Sequence, residues 1–234
     1  FLLKKTKHST SLMLKNLLII IKKNFVNELM KINIFADTIC GWCFIGHRNL
    51  NNALKKFPNI KFEIQHTPFQ LNPDMPSEGI LRDRYLEIKF GGKENAASMY
   101  ENMKIKAKES GMNFNLEKIK KTPNTVLSHM LIILSEKFNL ENEIKEKIYQ
   151  SYFIDGLDIG DLNILIDIAK QNNIQENVVK DFINEKNIEL VNSKISTAKE
   201  KNINGVPFFE IGKDFISGAQ SSIQLENVIK ANLN

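Results

Sequence analysis

The 234-residue chain is 42% hydrophobic and 25% charged, a balance that suits one large domain or two small ones. A core of this size needs no disulfide staples, and two cysteines in the whole chain exclude a secreted disulfide framework. The formal charge of +5 is carried by residues 1–29, which hold six lysines and one glutamate; the rest is neutral, so nothing points to nucleic acid as a partner.

Residues 1–29 read as a lysine-rich leader that opens on Phe1. Its apolar run Leu17-Leu18-Ile19-Ile20-Ile21 lies between Lys15 and Lys22-Lys23. The run is shorter than the roughly 7–15 residues of a secretory h-region and lacks a small-residue cleavage site. It is also too short to span a bilayer, so no stable membrane insertion is expected. Met30 stands directly before the first strand. The native domain is therefore expected to start there, with residues 1–29 poorly ordered or an over-extended translation. A membrane-surface helix or degenerate targeting segment is the alternative.

Lys31 to Ala36 alternates and predicts a strand. The stretch Asp37-Thr38-Ile39-Cys40-Gly41-Trp42-Cys43 follows. Asn49 to Phe57 carries Leu50, Leu54 and Phe57 at helical spacing, and Pro58-Asn59 breaks it. Ile60 to Gln65 alternates again as a second strand. Strand, helix and strand at this length form a βαβ unit, so the strands should be parallel. Thr67 to Pro76 holds three of the six prolines and reads as an extended crossing segment.

From Ser77 to about Lys186 the pattern is helical. Val126, Met130, Ile133 and Leu134 mark one helix; Asp161 can cap another built on Leu162, Leu165, Ile166 and Ala169. A long helix with Ile188, Val191, Ile195 and Ala198 on one face follows. Val206 to Ile211 is a strand, Gly212-Lys213-Asp214 a hairpin turn, and Phe215 to Ser217 the return strand. Gln220 to Leu233 closes as a helix. The fold class is thus α/β: residues 30–76 and 187–234 form two halves of one unit, and 77–186 form an all-α insertion domain.

Cys40 and Cys43 carry the clearest chemical signal. Cβ atoms at i and i+3 on a helix stand roughly 5–6 Å apart, whereas a disulfide needs about 3.5–4.5 Å. A tightened first turn at a strand-to-helix junction brings the two together. There the free N–H groups and helix dipole favour a negative sulfur on Cys40. Cys40 is therefore the expected attacking thiolate and Cys43, one turn in, the resolving thiol. Gly41-Trp42 supplies no charge, His47 is too far along the helix to hold the Cys40 sulfur, and Asp37 opposes ionisation if close; a moderate redox couple is expected. An inert buried pair is the bland alternative. A zinc site would need about four ligands, and His8, His47, His66 and His129 show no paired spacing, so no metal is expected. Pro207 reads either as an edge-strand proline or as a cis-proline in Gly205-Val206-Pro207, turning the Val206 backbone toward an extended peptide. His129 reads as a hydrogen-bonded structural histidine. Trp42, in the solvent-facing middle of the motif, and Gln220, near the start of the last helix, are candidate substrate contacts.

Together these residues resemble the thioredoxin superfamily, in its DsbA-like branch with a helical insert. The run Thr67-Pro68-Phe69-Gln70-Leu71-Asn72-Pro73, then Asn124-Thr125 with His129, Asp158-Ile159-Gly160, Gly205-Val206-Pro207-Phe208-Phe209 and Ser217-Gly218-Ala219-Gln220 resemble the FrnE-type proteins, from about Met30 to the end. The resemblance implies a thioredoxin-like fold (βαβ–αββα) with a helical domain inserted, and thiol–disulfide oxidoreductase or isomerase activity on protein disulfides. By matching position Cys40 is the nucleophile, Cys43 the resolver and Pro207 the cis-proline; Trp42, Val206 and Gln220 stand beside them as candidate substrate contacts read from the residues themselves. Gly41 stands where that family commonly has proline. No cofactor beyond the redox-active dithiol is implied; protein thiols or glutathione are the implied partners, and the cytoplasm the expected compartment. A sister branch, the 2-hydroxychromene-2-carboxylate isomerases and kappa-class glutathione transferases, resembles the chain in topology but typically has serine where Cys40 stands. It supplies the alternative of a glutathione-dependent isomerase or transferase. A non-enzymatic peptide-binding module is a third reading.

Overall fold

The computed structural model describes residues 29–233, so the reading of the leader lies outside the described residues except at Leu29. Leu29 already belongs to the first strand, β1 (Leu29–Ala36), one residue before the expected start. Met30, Ile32 and Ile34 turn inward, and the strand ends with Phe35 and Ala36 buried together, as suits a central strand covered on both faces. Helix α1 (Gly41–Leu54) follows. It starts eight residues before the expected Asn49, because Phe44, Ile45, Leu50 and Ala53 are buried around more than one side and a helix apolar on several faces shows no single stripe. It also stops before the expected Phe57. Lys56 and Phe57 close single tight turns onto Ala53 and Leu54, since the residue before Pro58 is driven off helical dihedrals.

Strand β2 (Lys61–Pro68) runs parallel to β1 in continuous register from Leu29↔Lys61 to Ala36↔Pro68. It extends through Thr67-Pro68, residues expected to belong to the crossing segment; Pro68 is tolerated because β2 is the sheet edge. Near the far end of the chain, β5 (Phe208–Ile211) pairs antiparallel with β1, and β6 (Asp214–Ser217) antiparallel with β5. The sheet order is β2-β1-β5-β6. Gly212, at φ 58°, makes the tight turn between β5 and β6. The last helix, α9 (Ser222–Asn232), is held by a reciprocal capping box between Ser221 and Gln224 and packs on α1.

Between β2 and β5 the chain is mainly helical: α2 (Arg82–Phe90), α3 (Lys93–Glu109), a short 3-10 turn (Leu116–Lys118), α4 (Val126–Glu136), α5 (Glu141–Phe153), α6 (Leu162–Gln171), α7 (Glu176–Phe182) and α8 (Glu185–Glu200). Asp161 caps α6 as expected, accepting from the Asn163 amide at 2.8 Å. A two-stranded ribbon of β3 (Ile80–Leu81) with β4 (Lys121–Thr122) ties this segment together; two-residue strands leave no alternation to read. Helix α8 returns to pack on β2 and α4. One apolar cluster runs unbroken from Ile32 and Phe44 through Tyr149 and Phe153 to Leu165 and Val179.

Candidate active site

Where β1 ends, the chain turns once and enters α1. The Cys40 amide donates to the Asp37 carbonyl at 3.1 Å, which leaves Cys40 extended at φ −93°, ψ 107° as the residue that caps the helix. Its Sγ accepts the Cys43 amide N–H at 3.2 Å and faces the Val206 carbonyl oxygen at 3.6 Å. The sulfur thus fills a cap position that an oxygen side chain usually takes. Both cysteines are free, and both are buried, Cys40 at 5% exposure and Cys43 at 2%. Burial above all pushes the Cys43 thiol well above its usual range; its hydrogen bond to Cys40 and the negative charge there act in the same direction.

The Val206–Pro207 peptide bond is cis, and the β-ladder begins only at Phe208 rather than at the expected Val206. The Pro207 carbonyl accepts the Gly218 amide at 2.8 Å. Gly46 lets α1 lie directly on this segment: a Cβ there would come within 3.1 Å of Pro207 Cγ and 3.0 Å of the Phe209 ring. Of the expected substrate contacts, Val206 is beside the Cys40 sulfur. The Gln220 backbone carbonyl accepts from the Asn49 side chain at 2.8 Å, and its side-chain amide donates to the Ser217 carbonyl at 2.9 Å. Ser221 alone supplies the cap of α9. The expectation that the middle of the motif faces solvent needs correction. Gly41 is buried where Met103 of α3 lies over it, and Trp42 is half-buried against the core. A Cβ on Gly41 would collide with the Met103 sulfur and stand 3.3 Å from the Phe114 ring, which accounts for glycine where the resembling family commonly has proline.

Beneath Cys43 the Phe44 ring stacks on Phe114 at 5.5 Å and on Tyr149 at 5.0 Å, and Phe114 stacks on Phe153 at 5.0 Å. Asp37 is fully buried beside them. Its Oδ2 accepts the Leu71 amide at 2.8 Å, and its Oδ1 lies 3.4 Å from His129 Nε2. His129 Nε2 also stands 3.0 Å from the Phe69 carbonyl, so this histidine ties the crossing segment to α4.

Sequence reasoning missed a second polar group, contributed by α5 and β2. Lys145 of α5 is 2% exposed and hydrogen-bonds to His66 of β2. Burial lowers the lysine to about 7, opposed mainly by the Cys43 charge. Burial, and then Lys145, hold His66 well below its usual range and bring His47 down to about 4. His47 Nε2 meets Glu146 Oε2 at 3.3 Å, and Arg48 also binds Glu146. For His66 a signal existed: it shares the inward parity of Phe62 and Ile64 on its strand. For Lys145 it is the phase shared with Ile148, Tyr149 and Tyr152 on α5. Among the described residues, no group of His, Cys, Asp and Glu is arranged to hold a metal ion, and no helix is long and apolar enough to cross a membrane.

Comparison with known proteins places this geometry in a family. A family model for the DSBA-like thioredoxin domain matches residues 31–230. An uncharacterized protein of Bacillus subtilis, YwbO, is 23% identical over 200 residues, covering 85% of this chain and 94% of that protein. A probable DsbA oxidoreductase of Streptomyces coelicolor superposes with a TM-score of 0.77 at 22% identity, over 87% of this chain and 89% of that one. A 2-hydroxychromene-2-carboxylate isomerase does so at 0.68 and 11% identity, over 86% and 95%. The cytosolic disulfide reductase DsbM of Pseudomonas aeruginosa gives 0.63 at 12% identity, over 87% and 98%, and has also been solved with glutathione.

Proposed function

The chain belongs to the DSBA-like thioredoxin family, and from that premise we propose that it is a thiol–disulfide oxidoreductase acting on protein disulfides through Cys40 and Cys43. The observation that carries this reading is the place of the Cys40 sulfur: at the start of α1, 3.2 Å from the Cys43 amide and 3.6 Å from the Val206 carbonyl, beside Pro207. Cys40 attacks a substrate disulfide as thiolate, one substrate sulfur leaves, and a mixed disulfide forms. Cys43 then attacks Cys40 Sγ, and the second substrate sulfur leaves as thiolate. The substrate chain approaches along Val206, with Trp42 flanking. Nothing beyond the dithiol is needed as cofactor. The cytosolic reductase among the structural neighbours supports reductase or isomerase work in the cytoplasm.

A redox titration of the full chain in glutathione buffers tests this. A reversible two-electron transition, absent in Cys40→Ser, is expected; unchanged thiols across the whole range would remove the oxidoreductase reading. A second reading, a glutathione-dependent isomerase or transferase of small molecules, is favoured by the isomerase neighbour and by the glutathione complex of DsbM. It requires tight glutathione binding and an activity that survives Cys43→Ser, whereas dithiol exchange does not survive that change.

A further inference from the structure

The ribbon of β3 and β4 is tied to the helices by Arg82, the first residue of α2. Its Nη1 donates to Thr122 Oγ1 at 3.1 Å and its Nη2 to the Tyr100 hydroxyl at 2.7 Å. The guanidinium carbon stands 5.2 Å from the centre of the Tyr85 ring and 5.2 Å from that of Tyr100, a cation–π contact with each. These partners are all neutral. A guanidinium has more N–H donors than the two bonds use, and among the described residues the rest have no partner and no carboxylate pairs with Arg82. Arg82 is half-buried. Its charge is therefore partly desolvated with no anion opposite, a cost that an anionic ligand would offset.

The same side chain lines a cleft of about 610 Å³ between α2, α3 and the 3-10 turn, a volume in the range of small-molecule sites. Its apolar wall includes Leu86, Leu116 and Ile119, and beside Arg82 four further cations face three carboxylates. One of those carboxylates, Glu117, is already paired with Lys104 at 3.9 Å. The balance of charge is positive. Neither cysteine lines the cleft, nor do Trp42 and Val206, so it is a second site, apart from the dithiol. We infer that this cleft binds a small monocarboxylic acid with an apolar body. The carboxylate takes the unused N–H groups of Arg82 as a charge-assisted pair, a match of two planar forks, and the body lies along Leu86, Leu116 and Ile119. Each feature narrows the ligand. The uncompensated guanidinium asks for an anion. The three wall carboxylates repel a second negative charge, which disfavours a phosphate dianion. An acid as short as acetate would leave the apolar wall uncovered. Binding is reversible, involves no covalent step and is independent of the thiol chemistry.

The test is equilibrium dialysis of radiolabelled octanoate against the full chain at neutral pH, with unlabelled octanoate, octanol, acetate and inorganic phosphate as competitors. One saturable site is expected. Octanol has the body without the charge, acetate and phosphate the charge without the body; each is expected to displace the label at least roughly tenfold less effectively than octanoate. Arg82→Gln is expected to weaken octanoate binding by roughly tenfold to a hundredfold. Arg82 also holds Tyr100 and Thr122, so this variant is read once its circular dichroism matches that of the parent. Where it does not fold, Ala97→Phe decides: it keeps Arg82 and narrows the cleft from an exposed position on α3, and is expected to weaken binding at least as much. Absence of a saturable site would overturn the inference. So would displacement by octanol as effective as by octanoate, which would mark an apolar surface only, or by acetate or phosphate, which would mark a charged one only. Unchanged affinity in either folded variant would place the octanoate elsewhere and overturn it equally.

Discussion

At Cys40 one sulfur meets an amide N–H at 3.2 Å and a carbonyl at 3.6 Å, while Cys43, one turn deeper, is enclosed and raised by burial. Division of labour follows from access. Cys43→Ser is expected to hold one glutathione adduct after exposure to glutathione disulfide, and Cys40→Ser none, read by intact mass. The neighbouring buried groups set how stability responds to acid. His47 has a folded value of about 4 against 6.5 in the unfolded chain. As pH falls below 6.5 the unfolded chain takes up a proton that the fold refuses, so stability is lost from there down to about 4. Between pH 7 and pH 5 this amounts to about 2 kcal/mol. Glu146, lowered by its hydrogen bond and charge interaction with His47 and by Arg48 despite burial, contributes stability that is lost at still lower pH. Urea midpoints at the two pH values should show the first loss, to which His66, lowered in the same direction by burial and then by Lys145, adds; His47→Gln should therefore reduce it without abolishing it.

At the scale of elements, α1 is positioned by two glycines that admit close neighbours: Gly46 against Pro207 and Phe209, and Gly41 under Met103 and Phe114. Gly41→Ala is expected to cost about 1–3 kcal/mol through overpacking. Met103→Ala in the same chain should recover much of that loss, and a double-mutant cycle on urea unfolding measures the coupling. Absence of coupling would show that α3 does not bear on the active-site turn. These contacts also explain what the sequence could and could not disclose. The βαβ unit, the closing hairpin, the Asp161 cap and the cysteine junction all rest on local signals of period, turn chemistry or spacing, and were legible. The start of α1 was not, because apolar residues on several faces erase the helical stripe. The burial of Gly41 depends on Met103 of α3, more than fifty residues away. Lys145 sits in Glu-Ile-Lys-Glu-Lys-Ile-Tyr; its phase with Ile148, Tyr149 and Tyr152 separates it from the exposed Lys147, but its partner His66 lies on β2, 79 residues away, and no local pattern shows it.

For the molecule as a whole, the sheet unit and the helical segment are joined by an aromatic stack. Phe44 of α1 lies between Phe114 and Tyr149, and Phe114 continues onto Phe153. Stacked rings of this kind add about 0.5–1.5 kcal/mol each beyond their burial, and here they stand directly under the dithiol. The main apolar cluster passes through them without a break, so both parts share it; only a small cluster of Met75, Tyr85, Leu86 and Ala96 stands apart from it. Unfolding is therefore expected to be one cooperative transition. The chain offers two reporters for this: its single tryptophan, Trp42, senses the active-site turn, while far-UV circular dichroism is dominated by α2 to α8. The two urea curves should coincide. Phe114→Leu should shift both to lower urea by the same amount, since the ring it removes belongs to both parts at once. If circular dichroism were lost first while Trp42 fluorescence held, the helical segment would be a separable unit.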